Sequence, residues 1–296
     1  MRLSLHRKRL ARFLLVAVLI ASSIAVAQKP ISIPFTITDT SSLMIPVSTP
    51  AGDSSFILDT GAGITVLSQS LVDKLGGKLA GRFTGFRLTG ERLDMQLFTI
   101  PELRVGSFVR KQIVVAGWDG LDKFHTTGMI ALDFFRNEPF TLDFEHNQLI
   151  LETTASIAQR HREGIAVPVK LDDQRGVTLD LFAPFLIGTQ PAECEVDTGS
   201  QGYIVALPTM KRLGLDPLSL GIKQSEHTSI LGNKEIRYRA TLDAFSLEGT
   251  KLGAGRKTPV LFEDIIYDCN VGVDFWFNHV VTFDIPHQHL IVATHG

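Results

Sequence analysis

"FILDTGAGITVLS" (residues 56–68) and "CEVDTGSQGYIVA" (residues 194–206) decide how this chain is read. Each drives an apolar, strand-like run into an acid, a hydroxyl and a glycine. A carboxylate at the end of a buried strand is costly unless it is paired, hydrogen-bonded or used in chemistry. One copy alone reads equally well as a surface turn, with Asp59 capping and Gly61 supplying a positive φ. The second copy, Asp197-Thr198-Gly199, lies 138 residues further on (59 to 197) and asks for an explanation that covers both.

Other features recur at nearly the same offset, as an internal duplication requires. "ISIPFTI" (31–37) matches "IAVPVKL" (165–171), each an alternating run with proline in fourth place. After each Asp-Thr-Gly comes a short helical piece, "SQSLVDKLGG" with Ser68 as N-cap, then "LPTMKRLG" with Pro208 at its start. Gly76 and Gly214 are the stop signals. The copies close alike, "GMIALDFFRNEPFTLDFEHNQLIL" (128–151) against "NVGVDFWFNHVVTFDIPHQHLIVA" (270–293). The segments are short, alternating and bounded by Gly, Pro, Asp and Asn. The expected fold is mostly β: two similar barrel-like lobes related by a pseudo-twofold axis, with few short helices. Residues 28–151 form the first lobe, the polar stretch 152–164 a linker, and 165–296 the second lobe.

The first 27 residues stand apart. "MRLSLHRKRLAR" is basic, "FLLVAVLIASSIAVA" is apolar, and Ala25-Val26-Ala27 offers small residues before Gln28. That order is a secretory signal peptide. An uncleaved anchor is the alternative, but the apolar run falls short of the roughly 20 residues of a membrane span. Neither a twin-arginine pair nor a cysteine directly after the cleavage site is present. Removing Arg2, Arg7, Lys8, Arg9 and Arg12 leaves 24 basic against 31 acidic residues, a net charge of −7. That disfavours nucleic acid and anionic membranes as partners. The expected location is the bacterial periplasm or beyond, where a disulfide is permitted.

Duplicated lobes packed about a twofold axis bring equivalent loops face to face. Asp59 and Asp197 would then lie within a few ångströms and hold one proton between them. Such a pair can act as general base and general acid in one site. Gly61 and Gly199 allow close backbone approach, and their amides can donate to the carboxylates. Thr60 and Thr198 can hydrogen-bond across the interface, although plain β propensity also explains a threonine there. Ser200 is placed to donate to Asp197 from behind, where the matching Ala62 cannot.

"DTGA" and "DTGS" after apolar strands, each followed by an apolar–small–apolar–Asp–aromatic block, resemble the retropepsin-like and pepsin-like aspartic peptidases. The likeness is greatest to exported bacterial aspartyl-protease-family proteins and covers nearly the whole mature chain, once per lobe. It implies an aspartic endopeptidase, a pepsin-like bilobal architecture, no cofactor, and an extended peptide or protein as substrate. It also implies a monomer, since one chain supplies both halves of the dyad. A domain-swapped or oligomeric arrangement is made unnecessary by the duplication. In that family a glycine of the downstream block packs against the catalytic loop. Gly272 fills the place in the second lobe, whereas the first lobe has Ala131.

The resemblance further implies a flap hairpin within "GRFTGFRLTGERLDMQ" (81–96), turning at Thr89-Gly90-Glu91 or near Thr84-Gly85. Phe83, Phe86 and Gly90 are the flap candidates, with ordinary strand or core residues as the alternative for both phenylalanines. Gly232-Asn233 reads as a hairpin turn in the second copy. Cys194 and Cys269 pair only if the catalytic loop neighbours the downstream block; otherwise they are buried thiols. His287 and His289 flank one residue and would share a strand face, a spacing able to bind metal. With no third ligand evident nearby, a solvated edge is the reading adopted, and no metal is expected. Asp133, Asp143, Asp274 and Asp284 repeat as acids of turns and are assigned no catalysis.

Two functions remain: a peptidase, or an inactive module of the same fold that holds extended peptides by strand pairing. Both carboxylates, both threonines and both glycines are present, which favours the peptidase.

Overall fold

The computed structural model describes residues 29–293, apart from 220, 230 and 231 and the side chains of 122–124. The leader 1–27 therefore lies outside the described residues. Within them, no helix is long and apolar enough to cross a membrane.

Three sheets carry the fold. An eight-stranded sheet is built from residues 36–130 and a nine-stranded one from residues 170–271. At the heart of each, the strand entering an Asp-Thr-Gly pairs in parallel with a strand of the closing block. Gly52–Leu58 runs beside Gly128–Ile130, with Leu58 opposite Ile130. Gln190–Val196 runs beside Cys269–Val271, with Val196 opposite Val271. The alternation of the entering strands ends in continuous burial, Phe56-Ile57-Leu58 and Cys194-Glu195-Val196, because both faces are covered there.

The third sheet is shared. Its six strands run in the order Ile31–Pro34, Gln148–Leu151, Phe140–Asp143, Val280–Asp284, His289–Ala293, Gly164–Pro168. The two lobes meet at its centre, where Phe140 pairs with Phe283, Thr141 with Thr282 and Leu142 with Val281. An offset of 141 residues maps this register onto itself, so the pseudo-twofold axis passes between Thr141 and Thr282. Their hydroxyls lie 2.6 Å apart, and the Phe140 and Phe283 rings stack at 4.7 Å. Pro34 and Pro168 end the two edge strands, where no ladder donor is missed.

Ser68 caps the helix Gln69–Lys74 by accepting from the Leu71 amide, and Pro208 opens the helix Leu207–Arg212. The stretch read as a polar linker is a helix, Thr154–Glu163. Thr153 and Ser156 form a reciprocal capping box at its start, and Arg160 pairs with the buried Glu152 carboxylate at 3.0 Å. Only Ile157 is buried along it, so no apolar period marks it in the sequence.

Cys194 and Cys269 stand directly opposite one another and form a disulfide. It ties the strand leading to Asp197 to the strand leading to Gly272. Closing a loop of 75 residues contributes on the order of 4 kcal/mol through the unfolded state.

Candidate active site

The two Asp-Thr-Gly loops meet where the lobes join. Each aspartate amide donates to the closing block of its own lobe, Asp59 to the Ile130 carbonyl (2.9 Å) and Asp197 to the Val271 carbonyl (3.0 Å). The threonines, both fully buried, cross between lobes. The Thr60 amide donates to Thr198 Oγ1 at 3.1 Å, and the Thr198 amide to Thr60 Oγ1 at 3.0 Å. Each hydroxyl then donates onward, Thr60 to the Val196 carbonyl and Thr198 to the Leu58 carbonyl. Four charge-free hydrogen bonds thus fix the spacing of the loops. That is more than β propensity explains.

The carboxylates are as close as the loops imply. The Gly61 amide donates to Asp59 Oδ1 at 3.0 Å and the Gly199 amide to Asp197 Oδ1 at 2.8 Å. A Cβ on Gly199 would sit 2.3 Å from the Asp59 carboxyl, and one on Gly61 would sit 2.5 Å from that of Asp197. Each glycine is the floor against which the other lobe's aspartate lies, so alanine at either place would displace the dyad. Asp59 is only 8 % exposed. Burial, then the Asp197 charge and the hydrogen bond that the protonated Asp59 donates to Asp197, push the Asp59 carboxyl well above its ordinary 3.8.

The groups behind the two aspartates differ. Asn270 Nδ2 donates to Asp197 Oδ2 at 2.8 Å and to Glu195 Oε2 at 2.9 Å. Ser200 Oγ does not reach the Asp197 carboxylate. It donates to Asn270 Oδ1 at 2.6 Å, because Asn270 stands between them and offers the nearer acceptor. Asn270 is fully buried within an apolar strand, and that misfit of polarity is the sequence signal that could have found it. Glu195 is buried too, and burial together with the Asp197 charge holds its carboxyl well above the ordinary range. Behind Asp59, the corresponding positions are Ala62 and Met129.

Gly272 packs as the family pattern expects, since a Cβ there would lie 2.6 Å from the Gln201 backbone. The methyl of Ala131 is accommodated in full burial, and its amide donates to Thr65 Oγ1 at 3.3 Å. Asp133 accepts from the amide and hydroxyl of Thr65 at 2.9 and 2.7 Å, and burial pushes it up to about 6. Asp274 accepts from the Gly202 amide at 3.2 Å in the other lobe. Both acids hold the loops that follow the dyad. Asp180, buried against Gly63 of the first lobe, is pushed up to about 7 by burial and by Asp172, Asp133 and Asp197.

Each lobe extends a hairpin. In the first, Lys78–Phe86 pairs with Arg92–Val105 and the turn closes at Arg87–Glu91, with Gly90 at φ +78°. Thr84 and Gly85 lie within the strand, so the turn proposed there does not form. Phe83 packs with Ile64, Val66 and Leu97, whereas Phe86 is 60 % exposed. In the second lobe Lys223–Thr228 pairs with Lys234–Leu242. The two tips meet: Ser229 Oγ and Asn233 Nδ2 both donate to Glu91, and the Ile266 amide donates to the Leu88 carbonyl at 3.0 Å. Burial opposes ionisation of Glu91, but the bonds from Ser229 and Asn233 and the charge of Arg87 outweigh it and lower its carboxyl.

His287 lies in a tight turn, Ile285–His287, and His289 begins the last strand, so they do not share a strand face. His287 pairs with Asp284, as does His161 from the helix that joins the lobes.

Residues 50–134 match the model of a family described as aspartyl protease. No curated protein matches the chain as a sequence. Among solved structures, the chain is similar to conglutin gamma, a basic 7S globulin from lupine seeds, at 9 % identity with a TM-score of 0.52, covering 90 % of this chain and 96 % of that one. It is also similar to the basic 7S globulin from soybean, at 9 % identity with a TM-score of 0.50, covering 90 % and 95 %. At this identity the likeness is one of fold.

Proposed function

We propose that the chain is an aspartic endopeptidase whose catalytic pair is Asp59 and Asp197. The observation that carries this reading is the pair itself: two carboxyls held together across a lobe interface, one of them disposed to keep its proton. Asp197, with the Asn270 amide group at its back, is the ionised member and accepts a proton from a water lying between the two carboxyls. Asp59 donates its proton toward the carbonyl oxygen of the scissile bond. Attack of the water forms a tetrahedral diol. Its collapse breaks the C–N bond, with the proton on Asp197 passing to the leaving amine and Asp59 regaining its own. Thr60, Gly61, Thr198 and Gly199 hold the geometry and do not react.

The substrate in this reading is an extended peptide lying beneath the first-lobe hairpin that carries Phe83, Phe86 and Gly90, and the working unit is a monomer. Export is supported by the order of the leader and by the disulfide, which suits an oxidising compartment. The test is cleavage of a mixed peptide library between pH 3 and 8, with peptide binding measured in parallel. Cleavage is expected, with cut sites that define the specificity. Peptides bound and left intact at every pH would overturn the enzyme in favour of a binding module.

A further inference from the structure

Asp284 ends the strand Val280–Asp284 with its side chain fully buried, and its carboxylate meets two imidazoles. His161 Nε2 lies 2.7 Å from Oδ2, and His287 Nδ1 lies 2.9 and 3.0 Å from the two oxygens. His289 brings a third ring 5.6 Å from that of His161, and its Nδ1 is buried with no hydrogen-bond partner. Asp284 and His287 also line a cleft of about 670 Å³ beside the inter-lobe helix, so the cluster can be reached from solvent.

The duplicated copy shows what this turn does when it is only a turn. Asp143 and His146 stand at the same spacing 141 residues earlier. There Oδ1 accepts from the amides of Glu145 and His146, both at 3.0 Å, and Oδ2 meets the His146 ring at 2.8 Å. That aspartate holds its turn by capping it. Asp284 makes no side-chain cap to its own turn. Both its oxygens face imidazoles instead, and the added imidazole comes from 123 residues away. The first copy's carboxylate is committed to its own turn, and the second's to two side chains, one of them from another element.

We propose that His161, Asp284 and His287 form a binding site for a borderline divalent transition cation, Zn²⁺ foremost. Two imidazole nitrogens and one carboxylate oxygen suit that class and not the oxygen-seeking Mg²⁺ or Ca²⁺. A tetrahedral Zn²⁺ at about 2.0–2.1 Å from its ligands sets neighbouring donors about 3.3 Å apart. The donor atoms here lie within 4.8 Å of one another, with the carboxylate–imidazole pairs at 2.7 to 3.0 Å, a spread that brackets this spacing. On binding, each imidazole turns a lone pair to the cation. Its facing proton moves to the far ring nitrogen if the ring is neutral, or to solvent if it is charged. The cation would tie the helix joining the lobes to the last turn of the second lobe, a structural clasp at the shared sheet. The site shares no residue with the Asp59–Asp197 site and does not depend on the proposed peptidase activity.

The test uses untagged full-length protein stripped with a chelator and titrated with Co²⁺, then with Zn²⁺ as competitor. One Co²⁺ per chain with a visible d–d absorption band is expected, displaced by one Zn²⁺. His161→Gln and His287→Gln should each weaken Zn²⁺ binding at least about tenfold, while His146→Gln leaves it unchanged. Zn²⁺ should raise the Tm of the parent protein and not that of His161→Gln, whose circular dichroism should match the parent's. Absence of stoichiometric uptake, or uptake equal in the parent and both variants, would overturn the site and leave an ion-paired triad.

Discussion

The two Asp-Thr-Gly loops share a backbone and differ in what stands behind it. In both, the amide of the aspartate binds the closing block, the glycine amide binds the carboxylate, and the threonine reaches across to the other lobe. Behind Asp197 stands Asn270, whose side-chain amide donates to Asp197 and to Glu195 and accepts from Ser200. Behind Asp59 are Ala62 and Met129, and the carboxyl lies in deeper burial. Duplication therefore supplied the geometry, and in the proposed mechanism divergence behind the loops gives the shared proton a preferred side. An arrangement with both loops backed alike would leave the proton's place undecided.

The largest effect expected is on chemistry. Asp59→Asn and Asp197→Asn should each lower kcat/KM for peptide cleavage by at least about 10³-fold, because either substitution removes one partner of the acid–base pair. Activity surviving in one variant would break the comparison by showing a single working loop. Replacing Cys194 and Cys269 by serine should lower stability in urea by about 2–4 kcal/mol, with cleavage kept below the new midpoint.

Asn270→Ala should cost about 10- to 100-fold in kcat and move the pH profile, since it strips the donor from Asp197 and leaves Glu195 unpaired. A further effect concerns pH and stability. Asp59, Asp133, Asp180 and Glu195 all bind protons more tightly folded than unfolded. Stability should accordingly fall as pH rises from about 4 through 7. Asp180→Asn should stabilise the protein at pH 7.5 on the order of 2 kcal/mol, with little effect at pH 4, where Asp180 is already neutral. Ala62→Ser should be the mildest change, less than about threefold in kcat, because no buried acceptor matching Asn270 waits behind the first loop.

Much of this was legible in the sequence because the duplication repeats what is local: the Asp-Thr-Gly loops with Gly61 and Gly199, and Ser68 and Pro208 at helix starts. What escaped was set by distant pairing. Asn270 reaches Asp197 only through the parallel pairing of their strands; a lone asparagine in "CNVGV" marks itself as a misfit without naming its partner. Ser200 donates to the Asp197 main-chain carbonyl at 3.4 Å and to Asn270 Oδ1 at 2.6 Å, and the second bond depends on that same pairing. The helix at 154–163 buries one apolar side chain, so its capping box was the only local sign. His161 meets Asp284 through the packing of that helix on the shared sheet, which no spacing along the chain encodes.

The most direct measurement is a pH titration of the carboxyl ¹³C resonances of Asp59 and Asp197, in the parent protein and in Asp197→Asn. In the parent, Asp59 should keep its proton well above 3.8 and its titration should perturb the Asp197 signal. In Asp197→Asn, its pKa should fall toward 3.8 without reaching it, since the like charge is gone and the burial remains. Two carboxyls titrating independently near 3.8, with Asp59 unmoved by the substitution, would contradict the shared proton and the account built on it.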